Sequence, residues 1–248
     1  MSTRKKSLGI IGLGAFGAFM AKHLAPHFDV VAHDAHKNIA AAAKKLKIAA
    51  GNFEDVAACS IVVIAVPVQQ MEQVLRAIAP MMKPGTLVLD VGSVKMKTSD
   101  LMKKILPKNV EAVGTHPLFG PQSGKKGIAG LNIVVCDVRG KRAACVRHFC
   151  KQKLGLTVYA AAPADHDREL AYVQGLTHLI AKVVVALNLP RFRFTTRTYE
   201  YMDQMVETVR YDSDELFRAI ERENPFTQKA KQEFFDAARK FEQKLLSR

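Results

Sequence analysis

A glycine turn near the amino terminus constrains the fold of this chain more than any other feature of the sequence. The turn follows the apolar, strand-like run 8–11 and opens the helical stretch 15–24. In a strand–turn–helix unit with GxGxxG spacing, the glycines allow a tight turn, backbone approach to a pyrophosphate, and close packing of helix on strand. The helix amino terminus adds N–H donors and a positive dipole end. The pattern predicts that a dinucleotide binds at Gly12, Gly14, Ala15, Phe16 and Gly17.

A carboxylate at the end of the second predicted strand distinguishes between the two nicotinamide cofactors. Asp34 lies 17 residues beyond Gly17, where it can accept hydrogen bonds from ribose hydroxyls and repel a 2′-phosphate. NAD is therefore the expected cofactor. NADP stays open as an alternative, because His36 and Lys37 could bind a 2′-phosphate if Asp34 turned away.

The 248 residues divide into two regions with different patterns. Up to residue 163, short apolar runs alternate with helical stretches, which predicts βαβ units and a Rossmann-type doubly wound α/β sheet. One run, 61–66, is continuous and β-branched, as in a strand buried on both faces. Beyond residue 163 the patterns are helical, at about 165–189, 197–223 and 227–246. We therefore expect a dinucleotide-binding domain, 1–163, and an all-helical C-terminal domain, 164–248.

Polar residues follow two further predicted strands of the first region. Ser93 and Lys95 come after the strand 87–91, and His116 comes between the strand 110–113 and a Pro-Gly loop. Ligands of open α/β sheets bind outside the carboxyl ends of the strands, so Ser93 and Lys95 are placed to face the nicotinamide or a substrate. Ser93 could equally cap a helix. A stiffly held, partly open His116 suits taking a proton from an alcohol, although a histidine at a strand end is as often structural.

The helical region contributes polar candidates of its own. Gln174 and His178 are four residues apart and share one helix face, which either forms an interdomain wall or faces solvent. Arg197, with Arg193 and Arg210, is a candidate to bind a carboxylate, since a guanidinium group makes paired bonds to it.

Composition excludes several classes of protein. The four cysteines form no CxxC pair, so we expect no metal site. The net charge of +14 could indicate nucleic-acid binding, but the basic residues are scattered as doublets without interleaved aromatics. We expect a solvated surface that attracts anionic ligands, and no nucleic-acid partner. No apolar run approaches the length of a membrane span, and no cleavage site follows the signal-like start, so we expect a cytoplasmic protein.

Taken together in this order, the motifs resemble those of the prephenate and arogenate dehydrogenases. The resemblance covers most of the chain, and the segments 115–124 and 196–245 look closest to plant-type arogenate dehydrogenases. It rests on the GxGxxG unit and on four further segments: Ala65-Val66-Pro67-Val68, Asp90-Val91-Gly92-Ser93-Val94-Lys95, Gly114-Thr115-His116-Pro117, and His166-Asp167 leading to Gln174 and His178.

The resemblance implies an NAD-dependent oxidative decarboxylation of a cyclohexadienyl acid in tyrosine biosynthesis. His116 matches the catalytic histidine that accepts the hydroxyl proton, and Ser93 the serine that hydrogen-bonds the same hydroxyl or the histidine. Val66 and Pro67 match cofactor-binding positions, and a final set matches positions that bind the substrate: Gln174, His178 and Arg197. The family also implies a homodimer through the helical domain. Many members carry a glutamate where this chain has Gln122.

Three alternatives remain beside this interpretation. A related two-domain β-hydroxyacid or imino-acid oxidoreductase would share the fold, but the His116 loop and the Gln174/His178 pair argue against it. A dinucleotide-sensing regulator would not need Ser93 together with His116. A basic nucleic-acid-binding protein on the same fold would explain the charge.

Overall fold

The computed structural model describes residues 5–35 and 38–247. The chain splits into two compact units, Met1–Pro163 and Ala164–Arg248.

The first unit is built on one sheet of eight strands. The strands are β1 (Ser7–Ile11), β2 (Asp29–His33), β3 (Ala49–Ala50), β4 (Ile61–Ile64), β5 (Leu87–Asp90), β6 (Glu111–Pro117), β7 (Asn132–Arg139) and β8 (Thr157–Ala160). Their order across the sheet is β3-β2-β1-β4-β5-β6-β7-β8. Strands β6 and β7 pair antiparallel, and the other neighbouring pairs of described strands are parallel. The predicted α/β architecture with a largely parallel sheet is therefore confirmed.

Helices cover both faces of this sheet. They are α1 (Ala15–Leu24), α2 (Ile39–Leu46), α3 (Phe53–Ala57), α4 (Met71–Ile78), α5 (Lys95–Ile105) and α6 (Ala143–Gln152). Buried residues of α1 and α6 pack with one set of strand residues, and buried residues of α3, α4 and α5 pack with the other set. Successive strand residues point to opposite faces, so Val63 lies in the first cluster and Val62 in the second. Both faces of β4 are buried, as its continuous apolar run predicted.

The structure extends the sixth strand beyond the range predicted from sequence. We expected a strand at 110–113, but β6 continues to Pro117 because β7 pairs with it along Gly114–Pro117. Neither β7 nor α6 nor β8 was assigned from the sequence, although 133–136 is apolar and buried in β7. Pairing with a distant strand, rather than local pattern, sets the length of β6.

The second unit, in its described residues 164–247, consists of helices and their connections. They are α7 (Pro163–Leu170), a π-helical segment (Ala171–Leu176), α8 (Thr177–Ala186), α9 (Arg197–Val209), α10 (Asp214–Arg218), a second π-helical segment (Ala219–Glu223) and α11 (Thr227–Leu246). The single helix expected at 197–223 is interrupted, because the Ser213 hydroxyl accepts a hydrogen bond from the Leu216 N–H and caps a new helix.

One helical run is long and apolar enough to cross a membrane. The run Pro163–Ala186 has 24 residues, and 22% of its most apolar window is buried. Our expectation that no stretch would reach this length considered only uninterrupted apolar runs and is wrong for this helical run, which includes charged residues. A single such helix is weak evidence for a membrane span, because a core helix of a soluble protein can be equally long and apolar.

Candidate active site

The glycine turn between β1 and α1 depends on glycine at two of its positions. Gly12 has φ of +96°, and a Cβ atom there would lie 2.5 Å from the carbonyl oxygen of Ala65. A Cβ atom on Gly17 would lie 2.0 Å from the carbonyl oxygen of Gly12. Both distances are far below van der Waals contact, so larger residues would break the packing of α1 against the ends of β1 and β4.

The middle glycine has open space where the other two are crowded. A Cβ atom on Gly14 would meet no atom within 4 Å, and α1 begins at Ala15 without a side-chain cap. The first-turn N–H groups of a helix lack partners within it, and with the dipole they form an anion site. The turn is therefore a cradle that fits a pyrophosphate, with Gly14, Ala15 and Phe16 nearest to it.

Asp34 lies beside this cradle, immediately after β2. Its Oδ2 accepts a hydrogen bond of 2.7 Å from the backbone N–H of Leu13, which turns the carboxylate toward the glycine turn. His36 and Lys37, the candidates for a 2′-phosphate, lie outside the described residues. Val66 is partly exposed and contacts Gly12, with its Cγ1 3.0 Å from the position of a Gly12 Cβ. Pro67 is exposed and precedes the short helix Val68–Gln70.

Ser93 and His116 lie at the ends of adjacent strands. Asp90, the last residue of β5, pairs with Gly114 of β6. Ser93 follows Asp90 and His116 follows Gly114 within a few residues, so both side chains lie at the carboxyl end of the sheet. The Ser93 hydroxyl is buried without a hydrogen-bond partner among the described residues. A buried polar group normally has a hydrogen-bond partner. A group that has none within the protein can form that hydrogen bond with a bound ligand.

His116 is more enclosed than its sequence context indicated. We expected a partly open histidine between the strand and a Pro-Gly loop, but it lies within β6, opposite Val134, and is only 4% exposed. The antiparallel partner β7, which the sequence pattern did not reveal, pairs with β6 at this position and fixes the backbone of His116.

A buried ion pair supports these strand ends. The Lys95 ammonium, 0% exposed, donates to Asp90 Oδ2 and, at 2.6 Å, to the carbonyl oxygen of Thr115. The Thr115 hydroxyl donates to the carbonyl oxygen of Asp90 at 2.5 Å. The expectation that Lys95 faces a ligand is thus wrong, because its ammonium is enclosed. Since Thr115 directly precedes His116, the pair fixes the backbone that carries the candidate base.

The second unit brings Gln174 and His178 together on one helical run. Gln174 lies in the first π-helical segment, a form often found at functional sites. His178 Nδ1 lies 2.9 Å from the Gln174 carbonyl oxygen, and its Nε2 lies 3.2 Å from Asp212 Oδ2. Asp212, which sequence reasoning did not single out, therefore orients the imidazole. A carboxylate 34 residues away gives no local signal.

The arginine candidates are engaged with neighbours at the surface of this unit. Arg197 donates hydrogen bonds to the Tyr201 hydroxyl at 3.3 Å and to Glu200 at 3.0 Å, and these two hydrogen bonds raise the pKa of its guanidinium. Arg210 bonds Glu207 at 2.6 Å. The structure therefore provides no enclosed carboxylate site at Arg197, which remains a prediction from the family resemblance.

Comparison with known proteins agrees with these features. The model of the prephenate dehydrogenase nucleotide-binding domain matches residues 18–148. Arogenate dehydrogenase 2 of Arabidopsis thaliana is 30% identical over 88% of this chain and 64% of its own length. A probable arogenate/prephenate dehydrogenase of Methanocaldococcus jannaschii is 28% identical over 70% of this chain and 41% of its own length. The chain thus spans between about one third and two thirds of the length of the curated relatives that it matches.

Solved structures show the same fold. The crystal structure of prephenate dehydrogenase from A. aeolicus, in complex with hydroxyphenyl propionate and NAD+, has a TM-score of 0.79 at 20% identity and covers 99% of this chain and 92% of that one. Synechocystis arogenate dehydrogenase has a TM-score of 0.70 at 18% identity, covering 97% and 91%. Because the family model spans more than half of the sequence, we conclude that this chain belongs to the prephenate dehydrogenase family.

Proposed function

We propose that the chain catalyses the NAD-dependent oxidative decarboxylation of prephenate, arogenate or both, a step toward tyrosine. The observation that carries this proposal is that Ser93 and His116 lie at the ends of adjacent strands, and that the buried Ser93 hydroxyl has no hydrogen-bond partner among the described residues. Both lie at the edge of the sheet that also carries the glycine turn. Relatives named arogenate and prephenate dehydrogenases support the substrate class, and the NAD+ in the A. aeolicus structure supports the cofactor.

The residues of this chain have distinct roles in the proposed reaction. When bound at the glycine turn, NAD supplies a hydride acceptor. His116, as a neutral imidazole, accepts the proton of the ring hydroxyl as the hydride leaves, which prevents positive charge from building on that oxygen. The Ser93 hydroxyl hydrogen-bonds the same oxygen or the imidazole. Loss of the ring carboxylate as carbon dioxide completes an aromatic ring. Gln174 and His178 are proposed to line the substrate site.

A direct assay tests the proposal. The purified chain should reduce NAD when given prephenate or arogenate, with carbon dioxide released in equal amount to NADH. Each substrate should be tried separately with NAD and with NADP. Turnover with a β-hydroxyacid but with neither cyclohexadienyl acid would assign the chain to the alternative oxidoreductase and refute the proposal.

The position of Asp34 predicts a preference for NAD. Its carboxylate, held toward the glycine turn by Leu13, should bond ribose hydroxyls and repel a 2′-phosphate. Asp34→Ser should narrow or reverse the ratio of kcat/KM for NAD to that for NADP. Asp29→Ser, an exposed carboxylate at the other end of β2, is the matched control and should leave the ratio unchanged. A wild-type preference for NADP would contradict the assignment.

We further propose that the chain forms a homodimer through residues 165–248. Large exposed hydrophobic side chains concentrate in the second unit, with Tyr159 alone in the described part of the first. They include Val173, Val183, Leu187, Tyr211 and Phe241. Apolar surface on this scale indicates a protein contact, and we assign the apolar run Pro163–Ala186 to that contact rather than to a membrane.

Sedimentation without detergent should therefore give a dimer at micromolar concentration. Val183→Glu, in the middle of α8, should shift the equilibrium to monomer, because the charge would be buried at the contact. Val173→Ser, in the same helical run, should shift the equilibrium toward monomer to a smaller extent. A monomeric wild type, or one that needs detergent to stay in solution, would contradict the proposal.

A further inference from the structure

The positive charge of the chain belongs to its first unit. Residues 1–163 contain 23 lysines and arginines against 9 aspartates and glutamates, whereas residues 164–248 contain 14 of each. The net charge of +14 is therefore that of the sheet unit, and the helical unit is neutral. Neither the glycine turn nor the His116 region requires so large an excess.

The topology gathers lysines that are scattered in the sequence. Helices that connect parallel strands run opposite to them, so their carboxyl ends reach the edge of the sheet where the strands begin. Helices α1, α2 and α5 each carry lysine in the last turn, and further lysines lie in the connections that enter or leave strands there. These eleven exposed lysines form the basic edge: Lys5, Lys6, Lys22, Lys44, Lys45, Lys47, Lys83, Lys103, Lys104, Lys108 and Lys141.

Hydrogen bonds show that these connections meet along one edge. Arg142, next to Lys141, donates to the carbonyl oxygen of Gly85 at 2.8 Å, although 57 residues separate them. Arg139 donates to the carbonyl oxygen of Pro107 at 2.9 Å. The end of β7 is thus joined to the connections before β5 and β6, and their lysines face solvent together.

Negative charge at the basic edge does not balance the lysines. Two strands begin there with acidic residues, Asp29 and Glu111. Glu111 already accepts hydrogen bonds from the backbone N–H groups of Lys141 and Arg142. A helix carboxyl end contributes about half a negative charge, so the three helices together offset fewer than two lysines. Most of the charge is therefore available to a partner.

The extent of the edge fits a duplex better than a smaller anion. The lysines extend from β3 to β7, and six strand spacings of about 4.8 Å give a width of about 29 Å. Duplex DNA carries one negative charge for about every 1.7 Å along its axis, or about 17 phosphates over that length. A single small ligand would engage only a fraction of the lysines.

The lack of apolar anchors narrows the class of partner. Surface binding to membranes uses apolar side chains that insert between headgroups, and binding of single strands uses aromatic platforms for the bases. In the described part of the first unit, Tyr159 is the one large hydrophobic side chain that is exposed, and it lies in β8, away from the eleven lysines. Contacts to a phosphate backbone need neither feature.

We propose that the basic edge binds the phosphate backbone of double-stranded nucleic acid without sequence preference. This replaces our expectation of no nucleic-acid partner, which rested on the scattered order of the lysines along the chain. The edge lies opposite the carboxyl-end edge that carries the glycine turn and His116, so the proposal does not depend on the proposed reaction.

Fluorescence anisotropy with a labelled, mixed-sequence DNA duplex of about 20 base pairs tests the proposal. Binding by the full chain should be measurable in the micromolar range near physiological salt, as for non-specific complexes. The logarithm of the affinity should fall linearly with that of the salt concentration, with a slope of about −4 or steeper, since each phosphate contact contributes about 0.9. A second duplex of unrelated sequence should bind within about threefold.

Two charge-matched double variants locate the surface. Lys103→Glu/Lys104→Glu changes the basic edge and should weaken binding at least tenfold while reducing the salt slope by about 2. Lys151→Glu/Lys153→Glu makes the same charge change at the far end of α6, which runs toward the other edge, and should weaken binding less than threefold. Circular dichroism melting of both variants should match the wild type.

Several results would overturn the proposal. Equal losses in the two double variants would show that net charge alone attracts the duplex. Undetectable binding at physiological salt, or a strong preference between the two duplexes, would each exclude backbone recognition by this edge. Capture by vesicles of anionic phospholipid without duplex binding would assign the lysines to a membrane surface.

Discussion

His116→Asn should lower turnover by about 10²–10⁴-fold, the usual contribution of a positioned general base. Asparagine retains a hydrogen-bonding side chain of similar reach but cannot accept the hydroxyl proton. Affinity for NAD should stay nearly unchanged, because the dinucleotide is held mainly at the turn Gly12–Gly17. The loss should therefore appear in kcat, measured by NADH formation, and not in cofactor binding, measured by titration.

The pH profile separates a base from a merely structural histidine. Wild-type activity should fall as the pH is lowered, because a protonated imidazole cannot accept the proton. The residual activity of His116→Asn should lack this acid limb. Ser93→Ala should be milder, since it removes one hydrogen bond, and His148→Asn, at an exposed position of α6, should leave turnover within about twofold. Near-normal turnover with an unchanged acid limb would place the base elsewhere, with His178→Asn the next variant.

Local pattern was sufficient for the parallel strands β1, β2, β4 and β5, but not for the two-residue strand β3. The glycine spacing, the buried run in β4 and the apolar stretch of β5 each predict a strand from neighbouring residues alone. Strands β7 and β8 were missed although 133–136 is strongly apolar, because a short apolar run does not distinguish strand from buried helix. Their assignment depends on pairing with β6, which only the folded chain shows.

The candidate site likewise contains residues that the sequence could place and residues that it could not. Asp34 could be placed from its spacing, since the end of the second strand must approach the glycine turn in any such unit. The sequence could not predict the burial of His116 or the partners of Lys95, because both depend on side chains and strands that are far apart in the sequence. Asp212 beside His178 is a further example. The distribution of charge follows the same rule, because lysines spread over the 137 residues from Lys5 to Lys141 converge on one edge only through the topology.

The buried ion pair between Lys95 and Asp90 should be the most sensitive point for stability. Both side chains are almost completely excluded from solvent, at 0% and 1% exposed. Asp90 Oδ2 also accepts the N–H of Gly92 at 3.1 Å, whereas its Oδ1 has no hydrogen-bond partner among the described residues. Desolvation of two charges costs several kcal/mol each, so the pair is tolerable only while both partners are present.

Lys95→Met should therefore lower the free energy of unfolding by about 3–5 kcal/mol, because it leaves the carboxylate of Asp90 buried without its counter-charge. This is a large part of the total for a typical domain, about 5–15 kcal/mol, and urea unfolding followed by circular dichroism would measure it. Lys104→Met, at an exposed position of the same helix, should change stability by less than about 0.5 kcal/mol. The double variant Asp90→Asn/Lys95→Met should recover most of the loss, since no unpaired charge remains. If the double variant is as unstable as Lys95→Met alone, packing of the lysine stem is the dominant effect. That result would contradict the claim that Lys95 stabilises the fold by compensating the charge of Asp90.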